Sequence, residues 1–291
     1  MTLEFEGIGT HWRIEIFNKL ASSNNIFSEL KTIVEDFENN YSRFKEISLL
    51  SQLNKNKSFN NPSEEFSKLL KIGEDAKRIT HGHFDIAVGN VLEKMGYDSN
   101  YSFKSTKLNN IETQIHITPS EIKIGENTRI DLGGIGKGFL IDKIKDFLIN
   151  KNIEYFFINA GGDIYATSIN ENPIEFFLEN PFDNTQAIGK VLIMNESIAA
   201  SSPSRRKWKD QNNKEFNHLV DMVSKNNVKD IAGVFTLGKS ALETDIASTA
   251  FFVSNSKLYE DIAKFYNVEF MIVYSDGTFA RSPNYKVELF S

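Results

Sequence analysis

The chain of 291 residues is 40% hydrophobic and 25% charged, the proportions of a globular protein long enough to bury a full core. Its net charge of −6 argues against nucleic acid as the main partner, and the absence of cysteine excludes disulfides, thiolate metal sites and cysteine nucleophiles. No window approaches the ~20 apolar residues that a membrane span requires. Along the chain, residues 8–17 alternate (Ile8, Trp12, Ile14 and Ile16 against Thr10, Arg13 and Glu15) and predict a strand. Ile26, Leu30, Ile33 and Phe37 share one face of a helix over 26–39. Asn61-Pro62 reads as a cap and first-turn proline ahead of Phe66, Leu69, Leu70 and Ala76.

Residues 114–132 read as three short strands, QIHIT, EIKIG and TRIDL, and a helix follows over 137–150. Strands are expected near 154–159, 174–179, 187–194 and 228–237. Helices are expected near 241–254 and 257–266, and a hairpin turns at Asp276-Gly277. Helices and strands are interspersed without strict alternation, so we expect an α+β fold rather than a doubly wound parallel sheet. The polar loop 204–217 marks no boundary, and residues 1–291 are expected to form one domain.

The most informative segment is IDLGGIGKGFLID at 130–142. Four glycines, Gly133, Gly134, Gly136 and Gly138, surround Lys137 just before an apolar helical stripe. Glycines uncover backbone amides and carbonyls, a helix N-terminus favours anions, and lysine adds positive charge, so the segment suits a phosphorylated ligand. Walker A is excluded, because it needs glycine where Asp131 stands and a hydroxyl where Gly138 stands. The dinucleotide fingerprint fails at Phe139. By itself the segment reads equally well as a flexible turn into a helix. Downstream, Ser240 and Glu243 form a capping-box start, and Asp245 and Thr249, four residues apart, share one helix face. Such oxygens suit a hard cation such as Mg²⁺, or they form an ordinary exposed pair.

Five further blocks stand with that segment: GIGTHW (7–12), SRFKEISLLSQLN (42–54), GHFDIAVGNVLEKMGYD (82–98), INAGGD (158–163) and ALETDIASTA (241–250). In this order and spacing they resemble the ApbE family, the FAD:protein FMN transferases, from Gly7 to about Val253. The resemblance implies an α+β fold of two intimate subdomains, with mixed or antiparallel sheets, flanking helices and a flavin cleft between them. It implies Mg²⁺ held by Asp245, Thr249 and the backbone carbonyl of Gly134, and FAD contacts from Lys137 and Asp131. Flavin contacts are also implied for Ile8, where the family has methionine, for Phe44, where it often has tyrosine, and for His83, Phe84, Asp85 and Leu219. Asp85 reads equally as a turn cap, and Ile8, Phe44 and Phe84 as core. Asp163 would order the magnesium-side loop.

His218 opens HLVD (218–221), which resembles the family's H-I-I-D block and implies a general base for the acceptor hydroxyl. The match fades on both sides. Met222-Val223-Ser224 replaces Pro and Thr-Gly, and Ser201-Ser202-Pro203-Ser204-Arg205 replaces Ser-Gly-x-Tyr-Arg. The basic run from Arg205 to Lys209 would dock an acidic acceptor or the departing phosphate, or form a solvated loop. The resemblance implies a Mg²⁺-dependent enzyme, with Lys137, Asp245 and His218 catalytic. It would move FMN from FAD to a Thr or Ser hydroxyl of an acceptor flavoprotein and release AMP. Two rivals use the same residues: an FAD pyrophosphatase with water as acceptor, and a non-catalytic flavin carrier. Many family members are anchored through a lipid-modified cysteine, which this chain lacks. We expect a cytoplasmic protein if the chain is complete, and an exported one if a leader has been removed.

Overall fold

The computed structural model describes residues 1–18, 24–107, 111–167, 172–204 and 206–290. Its helices are α1 (Asn24–Tyr41), α2 (Leu49–Asn56), α3 (Glu64–Ile79), α4 (Gly89–Lys94), α5 (Gly136–Asn150), α6 (Ala241–Val253) and α7 (Tyr259–Tyr266). An eight-stranded sheet runs in the order Thr2–Gly7, Thr10–Ile16, Phe156–Ala160, Asp163–Ala166, Glu196–Ser201, Ile231–Gly238, Glu269–Tyr274 and Phe279–Arg281. Each neighbouring pair is antiparallel, as an α+β architecture requires.

Strand alternation decides what lies on each face. Trp12, Ile14, Ile16, Phe156 and Ile158 point to one side and join Leu30 and Val34 of α1, Leu140 and Ile144 of α5, and Phe251 and Phe252 of α6 in the main core. From the other side, Ile164, Ala166, Ile198, Phe235 and Met271 meet Leu178, Val191 and Ile193. Those last three belong to a smaller sheet of Ile174–Asn180, Asp183–Ile193 and Glu288–Leu289. A third cluster packs Val91, Leu92 and Met95 against Trp208, Phe216, Val220 and Met222. It fastens the 207–222 segment to α4.

α6 is buried on nearly every side, and its buried polar groups are therefore all bonded. Thr244 donates to the Ala241 carbonyl at 3.1 Å and Ser248 to that of Asp245 at 2.9 Å. Ser240 caps it as predicted, accepting from the Glu243 amide at 3.3 Å.

Three expectations need correction. Ile8 and Gly9 (φ +45° and +71°) form the turn of a hairpin between Thr2–Gly7 and Thr10–Ile16, so they begin no strand. Helix α3 starts at Glu64 and is capped by Ser63; Asn61 sits at φ +50° and donates its amide to Ser120 instead. TRIDL forms a single parallel bridge, Arg129 to Val88, in place of a regular strand ladder. The Asn54 side chain satisfies both main-chain groups of Ile130, at 2.7 and 2.9 Å, and the Asp131 amide donates to Ile86 at 2.7 Å. A side chain has taken the place of a neighbouring strand. Within the loop 204–217, Lys207–Lys209 and Glu215–Asn217 pair as a short hairpin.

Candidate active site

A cavity of about 840 Å³ opens between these elements. The Ile8–Gly9 turn, the glycine-rich turn, Phe84–Asp85, the Gly161-Gly162 turn, His218–Val220 and Thr249 all contribute to its wall. Its size is that of a site for a cofactor-sized molecule.

At one end stands a cluster of opposite charges. Lys137, in the first turn of α5, places Nζ 2.9 Å from Asp163 Oδ2 and 2.9 Å from Asp245 Oδ1. The other oxygens of the two carboxylates accept from main-chain amides, Gly138 to Asp245 at 2.9 Å and Ala200 to Asp163 at 3.2 Å. Gly138 makes this possible. A Cβ there would stand 2.4 Å from the Ala241 carbonyl and 2.7 Å from the Asp245 Cβ, so only glycine lets α5 approach α6 closely enough. Asp163 and Asp245 are almost wholly buried. Burial pushes the Asp163 carboxyl up to about 7 against the pull of Lys137. Burial depresses Lys137 as well, but the two carboxylates outweigh it and hold the ammonium above its ordinary value. Asp163 Oδ2 is met only by that ammonium among the described residues.

Thr249, one turn after Asp245, faces Ser201 with the hydroxyl oxygens 3.2 Å apart. Gly134 is its neighbour, since a Cβ at 134 would lie 3.8 Å from Thr249 Cγ2 and 3.1 Å from the Phe84 ring. Among the described residues no three His, Cys, Asp or Glu side chains converge to hold a metal. A cation here would need hydroxyl and carbonyl oxygens beside carboxylate. Asp245, Thr249 and Gly134 carry oxygens of those kinds, the chemistry that suits a hard ion such as Mg²⁺ that retains waters, and the Asp245 carboxylate meets Lys137 and the Gly138 amide.

His218 occupies another part of the same wall. Its Nδ1 lies 3.4 Å from the Arg206 carbonyl, which can only accept, so Nδ1 carries the proton and Nε2 keeps its lone pair. Burial first, and the Arg206 charge second, push the imidazole down to about 4. A neutral imidazole with its lone pair on Nε2 can accept a proton at neutral pH, and its lowered affinity for that proton makes it a weaker base than a solvated histidine. Arg206 also donates to the Gly9 carbonyl at 2.7 Å and ties this segment to the Ile8 turn. Trp208 anchors it from behind, donating to the Met95 carbonyl at 2.7 Å and stacking on Tyr97 with ring centroids 5.1 Å apart. Arg205 lies outside the described residues, and Lys207 and Lys209 are exposed.

The cavity also has an aromatic wall. Phe44 stacks on Tyr101 at 5.6 Å and meets Tyr97 edge-on at 5.7 Å. Arg43 covers Phe44 at 4.2 Å, donates to the Asp131 carboxylate and donates to the Tyr97 carbonyl at 2.9 Å. The second Asp131 oxygen accepts from Gly133 at 2.6 Å.

Of the residues named from sequence, Ile8, Phe44, Phe84, Asp85, Asp131, Gly134, Lys137, His218, Leu219 and Thr249 all line the cavity. Asp245 stands behind Lys137. Asp85 is committed elsewhere, to Lys77 at 2.9 Å and the Ala87 amide at 2.8 Å, and burial raises its carboxyl. The His83 side chain lies off the cavity, between Asp221 at 2.8 Å and Asn255 at 3.3 Å. Sequence reasoning missed Arg43 and Tyr97, and it named Arg206 and Trp208 only as members of a basic run that docks an acceptor or phosphate or forms a solvated loop. The first two sit inside blocks that were quoted, next to Phe44 and at the end of the 82–98 stretch. It also missed that Asp163 faces Lys137.

A glycine-rich helix start carrying a lysine between two buried carboxylates, in one cleft with a neutral histidine and an aromatic wall, defines an α+β protein built for a flat, phosphorylated ligand. The chain belongs to the ApbE family, whose model matches residues 8–272. It is 24% identical to the FAD:protein FMN transferase of Haemophilus influenzae over 96% of this chain and 88% of that one. It is 21% identical to that of Vibrio cholerae over 94% and 87%. The fold matches the crystal structure of the ApbE protein of Thermotoga maritima with a TM-score of 0.87, over 98% of this chain and 97% of that one at 21% identity. It matches the flavin transferase ApbE of Vibrio cholerae with a TM-score of 0.78, over 97% and 96% at 19% identity.

Proposed function

We propose that this protein transfers the FMN half of FAD to a Thr or Ser hydroxyl of an acceptor flavoprotein. Membership of a family whose relatives are named for that reaction supports it. The observation that carries it in this chain is one cavity holding both the Lys137 ammonium between two buried carboxylates and a neutral His218.

The acceptor hydroxyl oxygen attacks the phosphorus on the FMN side of the pyrophosphate. His218 Nε2 takes the hydroxyl proton, a new P–O bond forms, and the bond to the bridging oxygen breaks, so that AMP leaves with that oxygen. Lys137 brings positive charge to the pyrophosphate oxygens, and Asp131, steadied by Arg43, accepts from a ligand hydroxyl or amine. Phe44, Tyr97 and Tyr101 offer flat faces to a ring. Asp245, Thr249 and the Gly134 carbonyl would hold Mg²⁺, which supplies charge that offsets the negative charge growing on the departing phosphate.

The test mixes purified protein, FAD and an acceptor domain of the sodium-pumping flavoprotein type, with Mg²⁺ or EDTA. The acceptor's intact mass and released AMP are read together. We expect one FMN added per acceptor with Mg²⁺ and none with EDTA. Asp245→Ala should lower the transfer rate by roughly 10³-fold or more, the scale of losing a main electrostatic stabiliser. AMP without acceptor labelling would reassign the protein as an FAD pyrophosphatase, and FAD binding with neither product as a carrier.

A further inference from the structure

The strand Ile174–Asn180 is the outer strand of the three-stranded sheet, paired with Asp183–Ile193 on one side only among the described residues. The far side of the same hairpin is closed by the chain itself, where Glu288 and Leu289 pair with Lys190 and Gly189 and the Phe290 amide donates to Ile188 at 3.0 Å. Phe176, Phe177, Leu178 and Glu179 line the cavity in succession. Side chains alternate along a strand, so a space against one face would meet every second residue. The space meets residues of both faces, Phe176 and Leu178 beside Ile164, Ile198 and Phe235 on the inner side and Phe177 on the outer, and so reaches round the strand's outer edge. The ladder is regular over Ile174–Leu178 and shifts register only beyond Leu178. Phe176–Leu178 is therefore the stretch of regular outer edge that borders the cleft.

We propose that this edge receives the acceptor: an extended, Thr- or Ser-bearing segment of the acceptor protein adds as a further strand along Ile174–Leu178 and is thereby led into the cavity holding His218. The proposal rests on the transferase reading above, because that reaction requires a hydroxyl delivered by another polypeptide. Strand addition gives main-chain hydrogen bonds whatever the partner's sequence, and pockets beside the edge choose its side chains. Here Phe177, 63% exposed, lies 6.2 Å from the Phe290 ring, and Leu192 is 56% exposed on the strand paired with this edge. These residues give an arriving strand apolar surface. The occupant is thus a segment with an apolar residue near its target hydroxyl.

Hydrogen exchange of the wild-type protein, with and without the acceptor domain used above, reads the edge directly. Amides within 174–180 should exchange at least tenfold more slowly when the acceptor is present. Phe177→Glu should raise the acceptor KM about tenfold or more while kcat at saturating acceptor is kept. An acceptor that takes FMN with no protection at 174–180, and an unchanged KM in Phe177→Glu, docks elsewhere and overturns the proposal while leaving the transferase reading intact. Cleavage of FAD to FMN and AMP with no acceptor bound or labelled overturns both. Loss of kcat without a change in KM would assign Phe177 to the flavin instead and overturn the docking role.

Discussion

The cavity is built differently at its two ends. Lys137, Asp163 and Asp245 come from the start of α5, from the large sheet and from α6, all of which share the main core. Each carboxylate is held by the ammonium and by a backbone amide. His218 belongs to a segment held mostly outside that core, by a satellite cluster, the Trp208 anchor, the Arg206 bond to Gly9 and the Asp221–His83 pair, with Leu219 reaching the main core. The charged end should therefore open only with the core, whereas the His218 segment is expected to open at lower cost. This separation suits a transferase, in which a phosphate site must be rigid while the acceptor side admits a second protein.

The largest effect expected at the looser end comes from the base itself. His218→Ala should reduce FMN transfer by about 10²–10⁴-fold, the contribution of a positioned base, while FAD binding persists. With the imidazole depressed to about 4, the His218 limb of kcat/KM should lie near pH 4, separate from the limb that Asp163 sets near 7. A His218 imidazole seen by NMR to titrate near 6.5 would be a solvated one and would break the comparison. The same shift has a stability consequence. The folded state binds fewer protons at His218 than the unfolded chain between pH 6.5 and 4, so this contribution is complete above 6.5 and is lost as pH falls through that window. Urea titrations of wild type and His218→Ala across pH 7 to 4 would measure it.

A weaker perturbation separates the two ends without touching the chemistry. Trp208→Phe keeps an aromatic ring against Tyr97 and removes the hydrogen bond to the Met95 carbonyl, a loss of about 1 kcal/mol. If the His218 segment opens locally, hydrogen exchange over 206–222 should quicken severalfold while α5 and α6 keep their protection. FMN transfer should fall further than FAD affinity. Equal quickening in all three would show that the satellite cluster is one cooperative unit with the core.

Much of the charged end was legible because its logic is local. Glycines around Lys137 and the Asp245/Thr249 spacing are patterns within one turn of helix, and both led to the cavity. The part that was not legible is long-range. Nothing in INAGGD announces that Asp163 will face a lysine from another element, and nothing in TRIDL announces that the Asn54 side chain will take a strand's place. The His218 end was read as eroded because its flanking residues depart from the family pattern. Its position is secured instead by Trp208 and Phe216, from the polar loop, and by Val220 and Met222, from the block that resembles the family and the flank that departs from it. Hydrogen bonds to main-chain carbonyls leave no motif.

The smallest effect expected tests how the looser end keeps its base neutral. Arg206 acts on His218 twice: its main-chain carbonyl accepts from Nδ1, and its side-chain charge opposes a second positive charge on the ring. Arg206→Gln retains the carbonyl and removes the charge. Burial is the larger cause of the depression, so the acid limb of kcat/KM should move upward from about pH 4 while staying below the ordinary histidine value of 6.5. The side-chain bond to Gly9 can survive through the amide, so transfer at pH 7.5 should change no more than about threefold. A limb that does not move would leave burial alone as the cause. A limb restored to 6.5 would mean that the arginine also shields the ring from water, and that the Ile8–Gly9 turn and the His218 segment part when it is lost.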